Sequence, residues 1–166
     1  MSSEDSAGAA YTEFVKDLLS AEEKRRESLE SRGGAVIGVS GTLVTLLLAL
    51  SALVRGKAES PLPAAATDRL SIAVLAFTAA ALLSMLTYTP QRTRVTDPEA
   101  LARLLPALWE QGHIHALKKT TAARLEQFKH TQRANDRKGR ALGAAVLAQI
   151  VGVGALAAAV LAVTMT

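Results

Sequence analysis

Three stretches of this chain contain no charged residue: 33–54, 70–91 and 141–166, which are 22, 22 and 26 residues long. A bilayer core about 30 Å thick is crossed by roughly 20 helical residues. Each stretch is therefore long enough to form a transmembrane helix. The chain is 49% hydrophobic but only 4% aromatic, its apolar excess being mostly Ala, Leu and Val. An ordinary soluble enzyme does not concentrate its apolar residues in this way, and a membrane β-barrel alternates them in strands of about ten residues. With no cysteine, neither a disulfide framework nor a thiolate metal site is available.

Residues 1–32 carry eight acidic and five basic side chains, and no apolar stretch comes before Gly33. The first run thus reads as a retained membrane helix rather than a cleaved signal. Lys and Arg number five in 1–32, three in 55–69 and eleven in 90–140. The positive-inside rule places the N-terminus and the long second connection in the cytoplasm and the C-terminus outside. The expected fold is an all-α membrane protein with three transmembrane helices, N-in/C-out, whose helical cytoplasmic extensions form the stalk of a homo-oligomeric bundle. Its parts are an acidic amphipathic helix (1–32), TM1 (33–54), a short external loop (55–69), TM2 (70–91), a basic helical segment (92–140) and TM3 (141–166).

Both extensions read as helices that run into the membrane. Ala9 to Arg32 contains neither Pro nor Gly, and Tyr11, Phe14, Val15, Leu18 and Leu19 fall on one face. Glu22 and Arg26 are spaced for an i,i+4 ion pair. Thr96-Asp97-Pro98-Glu99 is a capping box that predicts a helix to about Glu110. Gly112 breaks it, and a second helix from about His115 continues into TM3.

TM3 carries the sharpest pattern. Ala134, Ala141, Ala148, Ala155 and Ala162 recur every seven residues, interleaved with Ala145, Gly152 and Ala159. Lipid tails are as apolar as Leu, so helices in a membrane associate through the close approach that small residues permit. A seven-residue period implies left-handed, coiled-coil-like contact. TM1 shows a similar stripe in Ser31, Gly34, Gly38, Gly41, Thr45, Leu48 and Ala52, opposite a Leu-rich side (Leu43, Leu46, Leu47, Leu50) expected to face lipid. TM2 shows no comparable seam and is expected at the periphery. Gln149 is the one amide within a span, suited either to bridging helices or to lining a pore.

No motif for catalysis is present. G-x-S-x-G, a P-loop and GxGxxG are all missing, and His113-Ile-His115 lacks the i,i+4 spacing of helical metal ligands. The chain reads as a non-enzyme that needs no cofactor and no metal. The remaining candidate site is basic: Arg92, Arg94, Lys118, Lys119 and Arg124, with Lys129, Arg133 and Arg137. Gathered around an axis and flanked by Trp109 and His113, these cations suit a nucleotide or a short single strand. Anionic lipid and a partner helix are the competing uses of such a segment.

The stretch from Arg26 to Leu50, RESLESRGGAVIGVSGTLVTLLLAL, resembles small actinobacterial membrane proteins similar to the SLATT-like effectors found with nucleotidyltransferases in antiphage defence. Asn135-Asp-Arg-Lys-Gly-Arg-Ala-Leu-Gly before an Ala-rich final span fits the same resemblance. It implies a homo-oligomeric channel in the inner membrane, controlled by a nucleotide-derived signal from a co-encoded nucleotidyltransferase. In the Hailong-type effector of this kind, a DNA oligomer holds a tetrameric channel shut. No ligand residue transfers from the family. The second function class compatible with the sequence is a non-conducting membrane scaffold that docks a protein partner through its cytoplasmic helices, for instance in plasmid transfer.

Overall fold

The computed structural model describes residues 3–57, 63–90 and 112–164, and all of its regular elements are helical. Helix α1 runs from Ser3 to Lys57 and α2 from Ala64 to Met85, the latter closed by a 3-10 turn at Leu86–Tyr88. Helix α3 runs from His113 to Thr164. Gly112, with φ of 81°, occupies the left-handed region that side chains rarely adopt, immediately before α3. Helix α3 begins directly after this glycine, and it continues from 115–140 into the last apolar stretch as expected. The helix expected at 96–110 lies outside the described residues.

All three helices are long and apolar enough to cross a membrane. The helices extend beyond the charge-free stretches. Helix α1 continues to Lys57, and α2 already includes Asp68 and Arg69, so the first connection is shorter than 55–69. The chain forms two compact units: 1–28 with 90–137, and 29–89 with 138–166.

In the first unit α1 and α3 run parallel, because residues in contact keep a nearly constant offset. Thr12 meets Thr121 and Arg25 meets Asp136, separations of 109 and 111 residues. The inward residues of α1 are Gly8, Thr12, Val15, Leu19 and Glu22, an alternation of four and three. Tyr11 and Phe14, expected on the apolar face, are exposed.

In the second unit the three helices interlock. Buried positions on α3 are Lys138, Leu142, Ala145, Gly152 and Ala159, and Ala141, Ala148, Gln149, Ala155 and Ala162 are half-buried beside them. The small-residue seam of TM3 is thus an intrachain packing surface. What fills it is α2: the Phe77 ring lies where a Cβ on Gly152 would come within 2.9 Å of it. Phe77, Ala73 and Leu47 form the buried core, covered by Leu43, Val44, Leu70, Val74, Ala155 and Leu156.

Two expectations are corrected here. TM2 is central, not peripheral. Ala66, Ala73, Ala80 and Thr87 recur every seven residues, alternate with Phe77 and Ser84, and are all buried. The Leu-rich side of TM1 does not simply face outward, since Leu47 is buried and Leu43 half-buried. Both errors have one cause: in lipid, apolarity does not distinguish a helix's inner face from its outer one.

Because α2 presents Leu75 outward and Phe77 inward, the two residues respond differently to truncation. Phe77→Ala leaves a cavity and costs about 3–5 kcal/mol, whereas Leu75→Ala leaves the unfolding midpoint in detergent close to that of the parent chain.

Candidate functional site

Polar residues on inward-facing rows hold α1 and α3 together in both units. In the first, Asn135 is fully buried, and its Nδ2 donates to the Glu22 carbonyl oxygen at 2.9 Å and to Glu22 Oε2 at 2.8 Å. Arg25 donates to Asp136 Oδ1 at 2.9 Å and to Glu22 Oε1 at 3.4 Å. These contacts hold the guanidinium above its usual range, chiefly through the hydrogen bond to Asp136. In the second unit Lys138 Nζ donates to Glu30 Oε1 at 2.8 Å, with the lysine side chain 5% exposed and the glutamate 26%. A buried amide or ion pair at a seam position fixes register, because sliding either helix leaves its polar group without a partner.

The expected polyanion-binding set is divided by this register. Lys118 and Lys119 are exposed at the start of α3, and Arg133 and Arg137 are exposed further along. Arg124 is half-buried. It sits seven residues before Thr131 and fourteen before Lys138, on the row of α3 that both share. Extending the Ala145 row backward in sevens gives Lys138, Thr131, Arg124 and Leu117, a signal that marks Arg124 as inward. Lys129 is engaged by Glu126 at 3.0 Å, which lowers the Glu126 carboxyl below its usual range. Lys118, Lys119, Arg133 and Arg137 carry no ion pair with another described residue. Arg92, Arg94 and Trp109 lie outside the described residues.

The small-residue positions divide similarly. Gly34 is half-buried, with the Tyr88 hydroxyl 2.5 Å from where its Cβ would stand, and a Cβ on Gly33 would strike the Thr87 side chain. Gly38 and Gly41 face outward, and a Cβ on either meets nothing within 4 Å. Thr45, Leu48 and Ala52 share that exposure. Among the described residues, the TM1 stripe therefore packs within the chain only at Gly34. Among the described residues no group of three or more His, Asp or Glu side chains gathers in a metal-binding arrangement.

What this arrangement supplies chemically is an exposed basic face on α3, anchored to α1 by buried polar contacts, and an outward glycine face on α1. Compared with known protein families, curated proteins and solved structures, the chain matches none.

Removing Glu30 leaves a buried ammonium without its partner. Glu30→Ala is expected to cost about 3 kcal/mol or more in detergent unfolding. Adding Lys138→Met, which replaces that ammonium with an apolar side chain of similar length, restores most of the loss.

Proposed function

We propose that this protein is a homo-oligomeric channel of the bacterial inner membrane, N-in/C-out, regulated by a nucleotide or short single-stranded nucleic acid. A co-encoded nucleotidyltransferase would supply the regulator, and release of the channel would depolarise the cell as an antiphage response. The observation that carries the oligomer is the outward Gly38–Gly41 face of an apolar helix. Glycine offers lipid little surface to contact, whereas a second helix gains close backbone approach. Tetrameric assembly follows from the resemblance alone.

Two features favour conduction and its regulation. The three charge-free stretches hold no Asp, Glu, Lys, Arg or His, so a path between subunits would be lined by the outward glycines and hydroxyls of α1 rather than by a proton relay. The cations of the regulatory face are Lys118, Lys119, Arg133 and Arg137, exposed on α3. Lys and Arg at this density attract polyanions and do so less in high salt. Arg124, half-buried on the neighbouring row, adds a fifth cation to this part of α3.

Ion flux from liposomes carrying the purified chain, with and without short oligonucleotides, tests the reading. Flux that one such ligand alters supports a regulated channel. Lys118→Glu with Lys119→Glu should then abolish the ligand's effect while leaving the oligomer intact. Gly41→Leu, which meets nothing inside the chain, should reduce both the oligomer and the flux at least tenfold without lowering the unfolding midpoint. An oligomer that stays silent under every condition would indicate instead the non-conducting scaffold.

A further inference from the structure

Two hydroxyl groups in the second unit stand apart from the rest. Ser40 and Ser84 are both fully buried, and neither Oγ has a hydrogen-bond partner among the described residues. Other hydroxyls on the same helices return to the carbonyl four residues back: Thr42 to Gly38 at 2.9 Å, Ser51 to Leu47 at 2.7 Å, Ser71 to Thr67 at 3.0 Å and Thr78 to Val74 at 2.8 Å. Ser40 and Ser84 sit on the inward rows of α1 and α2, Ser40 midway between Gly33 and Leu47 and Ser84 seven residues beyond Phe77. Their hydroxyls are turned to the interior instead.

Register brings the two serines near one another. Helices α1 and α2 run antiparallel, with Gly33 against Thr87 at one end and Leu47 beside Ala73 and Phe77 at the other. Ser40 then lies level with Ala80, and Ser84 lies about one helical turn toward Gly33. The α1–α3 offset of 108 residues at Lys138–Glu30 adds Ala148 to the level of Ser40. Phe77 against Gly152 places Ala145 near the level of Ser84. Ala80 and Ala145 are fully buried, and all three side chains are methyl groups. Small side chains surround the two unsatisfied hydroxyls, so a polar guest between them meets little apolar contact.

We infer that Ser40 and Ser84 share a buried water molecule inside the three-helix unit. A water forms hydrogen bonds of about 2.8 Å on each side, so it can bridge two hydroxyls staggered along the helices by about one turn, roughly 5.4 Å. The two serine hydroxyls supply two polar partners, the lower end of the two to four that a buried water makes. The Leu47–Ala73–Phe77 cluster closes one side of the site. On the other, Thr87 is committed to the Ser84 carbonyl at 2.7 Å. The site belongs to the single chain and stands whether or not the protein conducts ions.

The sign of two minimal substitutions decides the matter. Ser40→Ala, Ser84→Ala and the double variant are made in the full chain and unfolded thermally in detergent. A shared water predicts that each single change lowers the midpoint by about 2–4 °C, because it strips a partner from the water and from the other hydroxyl. The double variant then falls by clearly less than the two single shifts combined. A rise in either single variant would mean that the hydroxyls are unpaired and that alanine relieves the cost of burying them. Small, additive shifts would mean that each hydroxyl turns back to its own helix. Either result overturns the water.

Discussion

Everything in this molecule depends on three helices agreeing on a period of seven residues. A straight α-helix has 3.6 residues per turn, so a face that returns every seven residues drifts slowly around the axis, and helices that keep such faces together must wind about one another with a left-handed twist. Inward rows of α1, α2 and α3 all follow this alternation of three and four. The match is achieved with very small side chains. Ala145, Gly152 and Ala159 on α3 and Ala66, Ala73 and Ala80 on α2 let the backbones approach closely, while Phe77 and Leu47 fill what the alanines leave open. Close approach gives many weak dispersion contacts in surroundings where the hydrophobic effect does not favour one helix neighbour over lipid.

A seam of alanines has a weakness: its repeats are nearly alike, so sliding by one heptad costs little. The polar residues remedy this. Asn135 against Glu22 and Lys138 against Glu30 occupy the same face as the alanines but tolerate a single alignment, since displacement would bury an amide or an ammonium without a partner. The guanidinium of Arg69 has a similar place on α2, donating to the Ala158 carbonyl of α3 at 2.6 Å. Apolar repeats thus provide proximity, and a few polar residues provide position.

Much of this was legible in the sequence, and the limits of legibility are physical. Charge-free length identified three helices long and apolar enough to cross a membrane, and the heptad of TM3 identified a seam that is buried. The glycines of TM1 were harder to place. A small residue shows where close approach is permitted, not whether the approaching helix belongs to the same chain, and Gly38 and Gly41 turn outward while Gly33, beside them in sequence, is buried. The centrality of α2 was hidden because its knob, Phe77, has meaning only once the hole at Gly152 is known, although the sevenfold spacing of Ala66, Ala73, Ala80 and Thr87 was present to be read. For the basic site, the exposure of Lys118 and Lys119 follows from their place off the seam. The half-burial of Arg124 follows from its place on the seam, a distinction that net charge cannot make.

The threonines on the outer face of α1 carry one more consequence. Thr42 and Thr45 each donate their hydroxyl proton to the carbonyl of a glycine one turn earlier, both at 2.9 Å. Their protons are committed, and what they turn outward is lone pairs. The glycine carbonyls already accept from these hydroxyls and from the helical N–H one turn on, so the acceptors left on this face are the two threonine oxygens. A second helix packed here can pair with those oxygens only by donating a hydrogen bond to them.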